Sequence, residues 1–276
     1  MKIAYVITAH KNPLQLRRML DAIYWPGNTY VIHVDVKAPR EVHDVARDFA
    51  ASHTLSAVIP SDNIIWGSWR LALVQTQAIA KALELSKDWA YCFNLSGQDY
   101  PLKSQPELAQ ILAQGEIDKS YMEVLRFKEA SENPKKRLEH WWAPWRGQMK
   151  KLWRRRWPSF EVFWGSNQWV LTREACEFIA HSKLSKQMHK TFRFSLCADE
   201  LIFQNILMHG PLREKVITQP MRKVVWTGGW HPKVFTIEDR DELLNAKEWF
   251  ARKFDETVDL HIMDALDEAL KQRQIP

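Results

Sequence analysis

Apolar residues near the N-terminus fall into short unbroken runs, with helical spacing between them. Residues 2–8 form the first run, and Ile3, Ala4, Tyr5, Val6 and Ile7 predict a strand buried on both faces. Asn12-Pro13 then opens a helix whose apolar side is Leu14, Leu16, Met19, Leu20 and Ile23. Trp25-Pro26-Gly27-Asn28 reads as a turn, and residues 30–34 as a second strand that stops at Asp35. Residues 57–59 predict a third strand, residues 68–85 an amphipathic helix, and residues 89–95 a further buried strand. Strands alternating with helices at this pitch predict a mostly parallel sheet with right-handed crossovers.

The second half is less regular. Residues 106–112 read as a helix and residues 121–127 as a strand. Residues 128–158 are basic, aromatic and without clear period, and predict irregular structure. Residues 160–171 predict a strand kinked at Gly165, and Thr172-Arg173-Glu174-Ala175 comes close to a capping box for a helix to about Ser182. Ala198-Asp199-Glu200 opens another helix. A short strand at residues 224–227, a loop at Trp230-His231-Pro232-Lys233, a cap at Ile237-Glu238-Asp239 and a last helix from Asp259 complete the chain.

Composition narrows the class. The 276 residues are 46% hydrophobic and 26% charged, enough for one large α/β domain with a sizeable core. No apolar run approaches the roughly 20 residues of a membrane span, and the first residues are too short for a signal peptide. Cys92, Cys176 and Cys197 are too scattered for a disulfide framework or a zinc site. Together these suggest a cytoplasmic protein, or one peripheral to the inner face of a membrane. The net charge of +6 suits an anionic ligand without choosing among nucleotide, phospholipid and nucleic acid. No nucleic-acid-binding module is recognisable. The first strand runs into His10-Lys11-Asn12-Pro13 in place of Gly-x-Gly-x-x-Gly, and the phosphate loop is absent, so neither a dinucleotide fold nor a P-loop enzyme is expected.

The chemistry-bearing groups fall at strand ends and loop edges. Asn94-Leu95-Ser96-Gly97-Gln98-Asp99-Tyr100-Pro101 follows a buried strand, and in open α/β sheets that edge binds ligands. Asp199 and Glu200 are adjacent acids at a helix start: one can cap while the other faces a cleft and takes a proton from an attacking hydroxyl. Lys233, Arg252 and Lys253 could converge on a diphosphate and stabilise it as a leaving group, or be solvated surface charges. His33 and Asp35 share a strand face, which is weak ground for a metal site, and Asp239-Arg240-Asp241 reads as capping; no metal ligand is assigned. Trp141, Trp142, Trp145, Trp153 and Trp157 alternate with Lys150, Lys151, Arg154, Arg155 and Arg156. Three readings compete for this stretch: a mostly structural lid on the main domain, which is the default for a long loop, a groove where sugars stack on indoles, or a patch for an anionic membrane.

Taken together and in order, several blocks resemble the core-2/I-branching N-acetylglucosaminyltransferase and peptide O-xylosyltransferase family, glycosyltransferase family 14. They are residues 5–11, Ile32-His33-Val34-Asp35, residues 94–103, Gly165-Ser166-Asn167-Gln168-Trp169, Asp199-Glu200 and Phe250-Ala251-Arg252-Lys253-Phe254-Asp255. The resemblance implies a single GT-A-type α/β domain over residues 1–276, a mixed and mostly parallel sheet flanked by helices. Residues 1–105 would be its nucleotide-sugar-binding half and residues 106–276 its acceptor-binding and catalytic half. It implies an inverting, metal-independent transfer, with no cofactor, from a UDP-sugar (N-acetylglucosamine or xylose) to a glycan or lipid-linked glycan in polysaccharide biosynthesis. Glu200 matches the general base. Lys253 and Lys233, with Arg252, match the diphosphate-binding cations. His10, Asp35, Ser96, Gly97, Gln98 and Asp99 fall where the donor is held, and Trp164, Ser166 and Trp230 are assigned to the acceptor. The membrane anchor and disulfides of eukaryotic members have no counterpart, which suggests a compact bacterial relative. The alternatives are a metal-dependent transferase using His33 and Asp35, and a non-catalytic glycan- or membrane-binding protein using residues 141–157.

Overall fold

The computed structural model describes residues 1–273, apart from 116–117, 130–131 and 229–230 and the side chains of 132–134 and 136. In chain order the strands are β1 (Lys2–Ala9), β2 (Thr29–Val34), β3 (Ser56–Val58), β4 (Trp89–Ser96), β5 (Asp99–Pro101), β6 (Ser120–Met122), β7 (Leu125–Arg126), β8 (His140–Trp145), β9 (Gln148–Arg154), β10 (Phe163–Trp164), β11 (Trp169–Thr172), β12 (Val216–Thr218), β13 (Arg222–Val224) and β14 (Phe250–Arg252). The helices are α1 (Pro13–Ile23), α2 (Arg40–Ser52), α3 (Arg70–Leu85), α4 (Gln105–Gln114), α5 (Glu132–Glu139), α6 (Arg173–His181), α7 (Lys183–Phe192), α8 (Ile202–Met208), α9 (Arg240–Leu244) and α10 (His261–Gln272).

Among the described residues, seven strands form one mixed sheet in the order β12-β6-β11-β4-β1-β2-β3. All pairings are parallel except those of β11, which runs against both β4 and β6. The sheet is covered on both faces, which is why its central strands read as unbroken apolar runs. Ile3, Tyr5, Ile7, Tyr91, Phe93 and Leu95 pack on one side with apolar faces of α1, α2 and α10. Ala4, Val6, Val31 and Cys92 pack on the other with α3, α6 and α8. A smaller sheet, β13-β14-β5, lies against the first of these faces through Tyr100, Phe250 and Ala251.

This winding sets the site. From β1 the chain builds outwards through α1 to β2 and through α2 to β3, on one face. It then crosses by α3 on the other face and re-enters beside β1 as β4. The crossovers diverge between β1 and β4, which opens a crevice at their carboxyl ends. Backbone bonds continue there: Gly97 N–H donates to the Thr8 carbonyl (2.8 Å) and Asp35 N–H to the Ala9 carbonyl (2.9 Å).

The structure departs from the sequence pattern in four places. The strand expected at 121–127 divides into β6 and β7, and that at 160–171 into β10 and β11. Trp169 pairs with Met122 in the main sheet while Trp164 pairs with Leu125 in a separate ribbon. The break is a close backbone crossing at Gly165, where an added Cβ would lie 1.9 Å from the Glu123 carbonyl oxygen. The segment taken as irregular, 128–158, contains α5 and the β8–β9 hairpin, closed by Arg146 and Gly147 at positive φ as its turn requires. The short strand expected at 224–227 ends earlier, as β13, and Trp226 makes only an isolated bridge to Pro232. Helices α2 and α7 were not read from the sequence, although each carries an apolar stripe, with Val42, Ala46 and Phe49 buried in α2 and Met188 and Phe192 in α7.

No helix among the described residues is long and apolar enough to cross a membrane. Gly165→Ala should destabilise the fold by about 1–3 kcal/mol or more, because a carbonyl, not a flexible side chain, occupies the space. Urea unfolding with an unchanged m-value would register this as a lower midpoint.

Candidate active site

A cleft of about 720 Å³ opens at the β1–β4 divergence. Its floor comes from strand ends, with Thr8 and Ala9 from β1, His10 just after it, and Asn94, Leu95 and Ser96 from β4. Glu200, Arg137, Arg252 and the exposed indoles of Trp66 and Trp226 (64% and 63%) complete its walls.

Glu200 is fixed by its backbone. Cys197 adopts a left-handed conformation and donates its N–H to the Gly67 carbonyl (2.7 Å), which starts the tight turn Ala198–Glu200. Glu200 N–H donates to the Cys197 carbonyl (3.0 Å), and its own carbonyl accepts from Gly165 N–H (3.1 Å). The two acids part, but neither side chain caps a helix. Asp199 turns inward and accepts from Asn167 Nδ2 (2.8 Å), whereas Glu200 faces the cleft and pairs with the Arg137 guanidinium. Burial, then the Asp199 charge, raises the Glu200 pKa to about 7, with Arg137 opposing both. Burial also raises Asp199 above the usual carboxylate range. A carboxylate poised near neutrality is suited to accept a proton.

The cationic part of the cleft is built on Asp99. Its carboxylate is almost wholly buried and is shared by Arg222 and Arg252 (3.2 Å), while also accepting from Ser96 N–H (2.6 Å). Arg222 in turn donates to the Asn94 carbonyl (2.8 Å). Asp99 therefore joins three strands and positions Arg252, rather than offering free oxygens to a ligand. Lys11 pairs with Asp255, which also accepts from Asn12 (3.0 Å). The Lys253 pKa is lowered by burial and then by the nearby charges of Lys11 and Arg252. His10 opens into the cleft, and its pKa falls for the same reasons: surrounding protein first, then Lys11 and Arg252. Four basic groups thus share one corner.

The side chains of His33 and Asp35 hold backbone N–H groups. His33 Nε2 accepts the Asp62 N–H (2.9 Å), and burial lowers its pKa. The Asp35 oxygens accept the N–H groups of Lys37 (2.8 Å) and Ile64 (3.0 Å). Both side chains thus hold the loop after β3, and Asp35 also holds the turn after β2.

Of the residues expected from sequence, Glu200, Arg252, His10, Asp35, Ser96, Asp99 and Ser166 line the cleft. Gly97 and Gln98 lie behind it: a Cβ on Gly97 would press on Ala9 Cβ at 3.3 Å, and the Gln98 carbonyl accepts from Phe254 N–H (3.0 Å). Lys253 is displaced to the back of the cationic corner, and Lys233 is turned onto Asp239, so neither lines the cleft. Trp164 is likewise outside the lining, and Trp230 lies outside the described residues. Sequence reasoning missed Arg137, Arg222, Trp66 and Trp226. Only Trp66, before Gly67, carried a local signal, an exposed aromatic at a loop break.

A mixed α/β domain with a cleft at the strand-order reversal is the class that fold and site define. The chain belongs to the Core-2/I-Branching enzyme family, whose sequence model matches residues 3–245. It is 25% identical to a xylosyltransferase of Ciona intestinalis over 97% of this chain and 34% of that protein. Xylosyltransferase 2 of Homo sapiens is 26% identical over 97% of this chain and 33% of its own length. The chain thus spans about a third of the curated relatives it matches. The solved structure of mouse xyloside xylosyltransferase 1, apo form, overlaps 90% of this chain and 97% of its own at a TM-score of 0.40 and 12% identity.

Asp99→Asn leaves two arginines short of their shared charge. It should cost about 3–5 kcal/mol of stability, measured by urea unfolding, as breaking a buried ion pair does.

Proposed function

We propose that this chain is a GT-A-type inverting glycosyltransferase that moves a sugar from a UDP-sugar to a glycan hydroxyl without a divalent metal. The observation that carries the reading is one cleft holding both a carboxylate with a pKa near 7 and a corner of crowded basic groups. Like charges held together destabilise one another, and a diphosphate relieves that repulsion. The family and the xylosyltransferase relatives favour xylose or N-acetylglucosamine as the sugar.

In this mechanism Glu200 accepts the proton of the acceptor hydroxyl. The hydroxyl oxygen bonds to the anomeric carbon from the face opposite the nucleotide. The bond from that carbon to the phosphate oxygen breaks, and its electron pair leaves with UDP. Arg252, backed by Lys11 and Lys253, takes up the developing phosphate charge. Lys233, paired with Asp239, keeps a secondary place in this scheme. Trp66 and Trp226 offer exposed indole faces for sugar rings, a better-sited platform than Trp164.

Glu200→Gln should retain UDP binding and lose about 10²–10⁴-fold in turnover; near-normal transfer would refute its role as base. Because a base must be unprotonated, kcat/KM should rise with pH, roughly tenfold per unit below about 7, and level off above it. Arg137→Met removes the cation that lowers the Glu200 pKa, so the rise should move to higher pH. Calorimetry in EDTA tests the phosphate contacts. Arg252→Ala and Lys253→Ala should weaken UDP more than uridine, and equal weakening would argue against a diphosphate site.

A further inference from the structure

Residues 140–158 contain six cations, Arg146, Lys150, Lys151, Arg154, Arg155 and Arg156, and no acid. That equals the whole net charge of +6, so the rest of the chain is neutral. Five of the 14 tryptophans lie in the same stretch.

The fold raises this segment as the β8–β9 hairpin, which pairs with no further strand among the described residues. Its base is anchored. Arg155 N–H donates to the Glu139 carbonyl (3.0 Å), and Trp142 N–H to the Phe194 carbonyl (2.9 Å). The Arg155 guanidinium lies 4.4 Å from the Trp141 ring centre and donates to Ser195 Oγ (3.0 Å). Beyond the base, cross-strand register puts Trp145, Gln148 and Lys150 on one face of the ribbon and Pro144, Met149 and Lys151 on the other. Trp145, Gln148 and Lys150 on the first face and Pro144 and Lys151 on the second are all exposed, so neither face is covered by the body of the protein. Trp145 is 63% exposed, and Trp153, beyond a register irregularity near the base, 71%. A lone two-stranded ribbon is marginally stable in water, and here it holds large indoles in solvent.

Exposed indoles among lysines and arginines match the interface of an anionic bilayer. Tryptophan settles at headgroup level, and cations are drawn to the negative surface. A single glycan chain stacks along one face of a ribbon, whereas a lipid interface surrounds its tip and meets both faces. We propose that the β8–β9 hairpin docks on an anionic phospholipid surface, with Trp145 and Trp153 among the headgroups and Lys150, Lys151 and Arg154 against their phosphates. Because α5 carries Arg137 into the cleft and leads directly into β8, docking holds the cleft near that surface.

The test is flotation with vesicles of phosphatidylcholine alone and of phosphatidylcholine mixed with phosphatidylglycerol. The full chain should bind only the mixed vesicles, and less at raised salt. A triple Lys150→Gln, Lys151→Gln, Arg154→Gln variant should bind about 100-fold more weakly, at roughly fivefold per cation. A Trp145→Ser, Trp153→Ser variant should also bind more weakly, with its circular dichroism unchanged. Equal binding to both vesicle types, no vesicle binding, or variants that bind as wild type would overturn the proposal. Binding of soluble dextran sulfate without binding of vesicles would also overturn it, in favour of an anionic glycan. The readout needs neither donor nor acceptor, so its failure would leave the transferase reading standing, and the reverse.

Discussion

The site depends on one buried carboxylate. Asp99 accepts from the backbone at the end of β4, from Arg222 of β13 and from Arg252 of β14, and so joins the main sheet to the small one. Two cations around one buried acid leave a net positive charge, which is tolerable only where part of it reaches solvent. Both arginines reach the cleft lining, and Arg252, with the more exposed side chain, provides most of that outlet. The positive corner of the cleft is therefore the visible end of an interaction made inside the protein.

The cleft has two electrostatic characters. Around Glu200, burial and a neighbouring acid weaken the carboxyl group as an acid, and a single arginine limits the effect. Around His10 and Lys253, burial and neighbouring cations oppose the charged forms. Each environment favours a ligand that supplies what it lacks, a proton in the first case and an anion in the second. That division suits a reaction in which a proton leaves one end of the reacting line and negative charge collects at the other.

Local patterns were legible wherever both faces of a strand are buried. β1, β2 and β4 and the helices α1 and α3 could be read directly, because Ile3 to Ile7 and Tyr91 to Leu95 alternate between two apolar layers. The Ser96-to-Asp99 loop and Glu200 were legible as chemistry at element ends. Pairings between distant residues were not. Nothing near Arg137 announces Glu200, 63 residues away, and nothing near Arg222 announces Asp99, 123 residues away. For the same reason Asp99 read as a ligand group when its partners lie within the chain. The aromatic, basic stretch was legible in composition but not as a hairpin, since among the described residues its strands pair only with each other and bury neither face.

The joint at Asp99 also bears on the order of assembly. β5 finds its strand partner only at β14, and α1 finds part of its packing and its ion pair at α10, where Arg18 meets Asp267 (2.7 Å). A chain leaving the ribosome completes β1, β2 and β4 long before it supplies Arg222 or Arg252, and until then Asp99 has no cation from either strand. Contacts this far apart in sequence form late, because loop closure must precede them. Residues 1–105 therefore hold Asp99 without either of the cations it meets in this structure, and the cleft is complete only after β14 has been made.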